Sequence, residues 1–398
     1  MPLIRLVASL AAAFAILPVA PSTFAAGEHA PAPVKRAMAP KPALAVGAAF
    51  DARGRLWRVR PGADGVWVDY SDDLGRSFGA AVRASPEIPA ADGELAPEIA
   101  VARDGTVHIA YTLPGATNPI VGHIRYTRST DGGRSFGPAD TVNDNRDEIT
   151  HRFQSMVVDE RGTVHLVWID KRDLEAARRR GQAYAGAAIY SARAADGRFG
   201  ANAKVADHSC ECCRIAAALD TDGVPVAFWR HVFDDGSRDH TLARLDGAAA
   251  MRATHEGWRI NACPHHGPAI AIGPDRTRHL AWFTAERGEG RVLYQARDPA
   301  GRAAAPPRRL GGDQAGYPAL LATGGSVVLA WKDFDGRATR IHAEHSTDGG
   351  RTWSAPQVLA SSVGPSDRPR LVSHAGQAYL SWNTRDDGYR LIPVKAAP

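Results

Sequence analysis

Seven short runs of aliphatic, β-branched and aromatic residues recur along the chain: RLWRVR (55–60), VHIAYT (107–112), VHLVWID (164–170), PVAFWRH (225–231), RHLAWFT (278–284), VVLAWKD (327–333) and AYLSWNT (378–384). Turns such as Asp104-Gly105, Arg161-Gly162 and Asp222-Gly223 precede them, and 39 Gly and 27 Pro punctuate the whole sequence. Helical periodicity is nearly absent, so the texture is all-β. The runs align as the second strands of a repeating four-strand unit. This predicts one β-propeller of four-stranded antiparallel blades, seven by this count, with six as the alternative. The last unit, from Asp367, lacks an evident fourth strand. A segment near the N-terminus is the candidate to complete it, which would close the ring and remove exposed sheet edges.

A second pattern falls between third and fourth strands. Ser346, Asp348, Gly350 and Trp353 read Ser-x-Asp-x-Gly-x-x-aromatic, repeated at Ser129, Asp131, Gly133, Phe136 and at Ser71, Asp73, Gly75, Phe78. Worn copies occur at SARAADGRF (191–199) and ARDPAGR (296–302). In such a hairpin the carboxylate accepts hydrogen bonds from its own turn, Gly takes the positive φ, and the aromatic plugs the turn onto the sheet. These residues resemble the Asp-box, or BNR repeat, of sialidase-like β-propellers. The resemblance implies boxes on one face and a working site at the opposite mouth. It also implies six blades as the usual number, one fewer than the strand count here.

The family activity would be exo-sialidase, with three arginines on the substrate carboxylate, a Tyr–Glu pair and an Asp acid/base. Arg is required because its planar fork matches a carboxylate. The first family arginine lies in a Phe/Tyr-Arg-Ile-Pro motif. This chain has Trp57-Arg58-Val59-Arg60-Pro61 within a plain strand pattern, so Arg58 reads as an outward strand residue. Arg152, Arg172, Arg214, Arg368 and Arg370 fall on mouth-side loops as anion-binding candidates, with His151 beside them. Tyr317 precedes an inner strand but has no Glu partner in sequence. Asp170 and Asp333 are the first carboxylates to consider for acid–base work. Aligning the units makes Glu94, His151, Cys212 and His265 equivalent, and likewise Leu95, Arg152, Cys213 and His266.

All four cysteines lie in two neighbouring blade-to-blade connections, HSCECCR (208–214) and NACPHHG (261–267). Disulfides are one reading, and Cys210–Cys213 with Cys212–Cys263 is the pairing that avoids strained small rings. The other is a copper or zinc site of Cys210, Cys212, Cys213 and Cys263 with His208, His265 and His266. Arg214 stands where a haem-attachment motif needs His, which excludes that motif. His108, His165 and His279 read as strand residues. No cofactor is required by the sequence.

Residues 1–26, with Arg5, an apolar stretch and small residues at Ala25-Ala26, read as a secretory leader. Residues 27–43 read as an Ala/Pro-rich tether and 44–398 as the propeller, placing the protein in the periplasm or outside the cell. No later stretch is apolar enough to span a membrane. A net charge of +5 comes from scattered residues, which argues against a nucleic-acid partner. The one dense run, Arg178-Arg179-Arg180, reads as a solvated loop. Together these features predict an exported, non-catalytic propeller that binds a small molecule, glycan, protein or metal at the mouth carrying the Cys/His cluster. The alternative is a sialidase-type glycoside hydrolase with rearranged catalytic residues.

Overall fold

A computed structural model describes residues 43–286 and 289–395. The expected leader and tether lie outside the described residues but for Ala43. From residue 43 onward the chain forms one compact unit of seven antiparallel sheets in sequence order. They span 47–85, 98–141, 151–209, 216–252, 269–310, 316–362 and 370–393. Six sheets have four strands, and the seventh has three among the described residues. The seven-blade count is therefore the right one. No helix among the described residues is long and apolar enough to cross a membrane.

The second strands hold the blades together. Trp168, Trp229, Trp282, Trp331 and Trp382 occupy equivalent positions near their ends and are fully buried, with Tyr111 in blade 2. Trp168, for example, packs with Ala110, Ile124 and Tyr126 of blade 2 as well as with Leu166 and Tyr190 of its own blade. Opposite the residue before each of these aromatics stands one inner-strand residue: Glu98, Ser155, Ala216, Ala269, Ala319 and Arg370. These residues line the axis, where seven blades converge and leave little room. At Gly47 in blade 1 a Cβ would meet the Pro97 carbonyl at 2.6 Å.

The Asp-boxes form as their residues predict. Ser71, Ser129 and Ser346 hydroxyls donate to Asp73, Asp131 and Asp348 at 2.7–2.8 Å and accept from the N–H of Gly75, Gly133 and Gly350 at 2.8 Å. The carboxylates also accept backbone N–H groups four residues on. All three boxes join third to fourth strands, so the inter-blade connections and second-to-third-strand loops share the opposite face.

The sequence offers the N-terminal segment as an outer strand for blade 7. Any contribution from residues 27–42 lies outside the described residues, but Gly47–Phe50 forms the innermost strand of blade 1 and packs beside Arg370–His374 of blade 7. The Val46 N–H donates to Asp367 at 3.1 Å, Asn383 Nδ2 donates to the Leu44 carbonyl at 2.9 Å, and Phe50 stacks on His374. The Arg178-Arg179-Arg180 run is solvated, as expected, but does not lie in a loop. It ends a short helix, Arg172–Arg179, whose acidic first turn, basic last turn and buried Leu174 and Ala177 suit a single amphipathic turn pair.

Candidate functional site

Two residues before the axis-lining positions stand Ala96, Phe153, Arg214, Gly267, Tyr317 and Arg368, at or just ahead of the inner strands, and these form the rim of the mouth. Phe153 and Tyr317 are built alike. Each takes a positive φ, 61° and 52°, where its strand slips register against the next. Such backbone costs about 1–3 kcal/mol in a non-glycine residue, and bulges of this kind re-aim a side chain.

Below the rim is an axial cavity of about 250 Å³ lined by Arg214, Arg368, Arg370, Glu98 and small inner-strand residues. Arg214 is buried and committed. It pairs with Glu94 at 3.1 Å and donates to the carbonyls of Pro268 and Pro318. Glu94 also accepts the N–H of Arg214 and of Gly267. Gly267 has to be glycine, because a Cβ there would lie 2.0 Å from Arg214 Cγ and 2.8 Å from Glu94. Arg370 pairs with Asp367, which also holds Val46. Arg368 differs from both. Its guanidinium has no ion pair or side-chain hydrogen bond among the described residues, and its Nε is buried without a partner. Burial, then the neighbouring Arg370 and Arg214, pull its pKa down to about 9. Glu98 shares the cavity and is pushed up to about 7 by burial, against the opposing pull of Arg368, Arg370 and Arg214.

One wall of the mouth is aromatic. His266 stacks on Phe283 at 4.1 Å and tilts against Tyr317 at 4.8 Å, with Lys332 Nζ 5.5 Å from the Tyr317 ring. Burial first, then Arg230 and Arg214, lowers the His266 pKa to about 4, so the ring is neutral at neutral pH. Arg152, the equivalent of His266 in blade 3, pairs with Asp92 at 3.3 Å. The mouth therefore gathers Arg152, Arg214, Arg368, Arg370 and Tyr317.

Other predicted residues are occupied elsewhere. Asp170 is fully buried, accepting from Trp168 Nε1 at 3.0 Å and from both sides of the Arg172 fork at 2.8 and 3.0 Å. Arg172 also reaches Asp144 and lies over Tyr190. His151 is fully buried, with Nδ1 2.9 Å from the Gly122 carbonyl and Nε2 3.7 Å from Asp170. This trio braces blade 3. Asp333 accepts the Gly312 N–H at 3.2 Å. Arg58 pairs bidentately with Asp69 and lies over Phe78, as a strand residue would. His108 and His279 bond Tyr126 and Tyr294 within their own blades.

The cysteines converge from both connections. Cys210, Cys212 and Cys213 are buried, and Cys210 Sγ is 3.8 Å from each of the other two. Cys212 also groups with the exposed Cys263 and His265, their donor atoms within 4.8 Å of one another. The four cysteines are free thiols in this structure, so the expected Cys210–Cys213 bridge, which needs about 2.05 Å, is not formed. His208 bonds the Ala185 carbonyl, and neither it nor His266 joins the thiol groups.

No family model matches the chain, and no curated protein matches it by sequence. Solved structures do match. A polysaccharide lyase, an ulvan lyase bound to -[GlcA(1-4)Rha3S]-, is similar over 89% of this chain and 94% of that one, with 10% identity and a TM-score of 0.54. The polysaccharide lyase Uly1 covers 90% of both chains at 11% identity, with a TM-score of 0.52. At such identities the likeness is one of fold. With the boxes and blades described above, the chain is a seven-bladed β-propeller whose third-to-fourth-strand turns carry Asp-boxes.

Proposed function

We propose that the mouth binds an acidic glycan, with Arg368 as the receptor for its carboxylate and the Tyr317–His266–Phe283 wall against the sugar face. The observation that carries this is the enclosed guanidinium of Arg368, which has no carboxylate partner among the described residues. Buried charge is ordinarily paired, so an anion from outside is the natural complement. Arg214 and Arg370 are each neutralised by their own carboxylate, which leaves the Arg368 charge for the ligand. The leader read from the sequence would place this site outside the cytoplasm, where such glycans are met. Two structural neighbours are polysaccharide lyases, one of them solved with a glucuronate-containing ligand, which is in keeping with this class of ligand.

Binding without turnover is the preferred reading, because Glu94 and Asp367 are tied into ion pairs and Asp170 is buried away from the mouth. One observation favours catalysis as the second reading: Glu98 carries a pKa near neutrality inside the cavity, as a general acid/base would. Calorimetric titration with a glucuronate-containing oligosaccharide and with sialyllactose, against a neutral oligosaccharide, tests the proposal. Arg368→Gln should weaken acidic-glycan binding about tenfold or more. Equal affinity for the neutral sugar, or an unaffected Arg368→Gln variant, would sink it. Release of sialic acid, or of an unsaturated uronate seen by its ultraviolet absorbance, would establish turnover.

A further inference from the structure

We infer that the cysteine cluster is a soft-metal site for a d10 cation, copper(I) or zinc, with Cys210, Cys212 and Cys213 as its buried ligands. Thiolates about 2.3 Å from a tetrahedral centre stand about 3.8 Å from one another. Cys210 stands at 3.8 Å from both Cys212 and Cys213, nearly twice a disulfide length. A pocket of three buried sulfurs with no other donor among them suits soft cations and excludes hard ones.

The surroundings hold this arrangement before any ion arrives. The Cys210 N–H donates to the Arg230 carbonyl at 2.9 Å, and Ser209 bridges His231, so the start of the connection is fixed to blade 4. Lys171 pairs with Glu211 between the cysteines. Arg238 Nη1 approaches Cys210 Sγ at 3.4 Å, where a guanidinium would offset part of the charge of a metal–thiolate centre and orient one ligand. Cys212 is shared with Cys263 and His265, which are exposed at the mouth. These two supply a fourth ligand, or a route by which the ion enters from solvent. Binding exchanges protons for metal: three thiols release three protons to water as three metal–sulfur bonds form, and nothing is oxidised or reduced when the ion arrives as copper(I) or zinc.

The inference is independent of the arginine site. The full-length protein, reduced and handled without oxygen, is titrated with copper(I) in a chromophoric chelator and separately with zinc, and metal content is read by elemental analysis after desalting. The expected result is stoichiometric retention of at least one of the two, lost in Cys210→Ser and Cys213→Ser. Cys263→Ser and His265→Ala, at exposed positions, should weaken retention without abolishing it. Thermal melts of the apo variants separate lost ligands from lost fold. Failure of the reduced protein to retain either metal, together with a mass lower by four hydrogens after expression in an oxidising compartment, would overturn the inference in favour of two disulfides. Retention that survives both buried substitutions and is lost only with His265→Ala would overturn the assignment of the buried triad.

Discussion

Glu98 is the residue on which the charge balance of the cavity turns. Its folded-state pKa, about 7, lies above the ordinary carboxyl value because burial outweighs the attraction of three arginines. The native state therefore holds a proton that the unfolded chain has already lost between about pH 4.5 and 7, and stability falls as pH rises through that window. Glu98→Gln should remove this dependence, giving a higher melting temperature than the parent at pH 8 and little difference at pH 4. Coincident melting curves at both values would show that Glu98 is not strained. The same proton bears on binding. Protonating Glu98 removes a negative charge beside Arg368, so acidic-glycan affinity should rise several-fold from pH 8 to pH 6 while the ligand carboxylate stays ionised. In Glu98→Gln that rise should flatten.

At the level of elements, the Asp-box turns and the tryptophan-bearing strands carry separate duties. The carboxylate of Asp348 is held well below its usual range, first by the Thr352 hydroxyl and then by the Thr352 N–H and Ser346. Asp348→Ala should lower the melting temperature and leave binding at the mouth unchanged, since the box lies on the opposite face. A loss of binding larger than the loss of stability would place the box in the wrong half of the molecule. Trp282 is a sharper test of blade packing. It is fully buried among Phe228, Leu242 and Leu280, so Trp282→Ala should cost about 3–5 kcal/mol in urea unfolding.

For the molecule as a whole the vulnerable point is closure. Blade 7 is joined to blade 1 through Asp367, Asn383 and the Phe50–His374 stack. Deleting 367–398 removes these together with Arg368 and Arg370 and leaves sheet edges unpaired. The truncated chain should be insoluble or non-cooperative in unfolding, whereas a soluble, cooperatively melting product would show that six blades suffice.

The architecture was legible in the sequence because it rests on local chemistry repeated many times. Ser-x-Asp-x-Gly dictates its own turn, and seven strand runs, six of them with an aromatic near the end, count seven blades. Even the equivalence of Cys212 with His265 and of Arg152 with His266 follows from counting back from the turns. The short helix at Arg172 escaped because eight residues between strands offer too little periodicity. Which arginines matter is a property of the ring alone. Arg214 and Arg368 lie far apart in the chain, and no local pattern says that one is paired with Glu94 while the other has no partner among the described residues. Nor could the sequence show that Asp170 and His151 are turned inward to brace a blade, or that Cys210 stands 3.8 Å from both neighbouring thiols. Local spacing determines turns and strands. Convergence of distant side chains on an axis is decided only when the seventh blade meets the first.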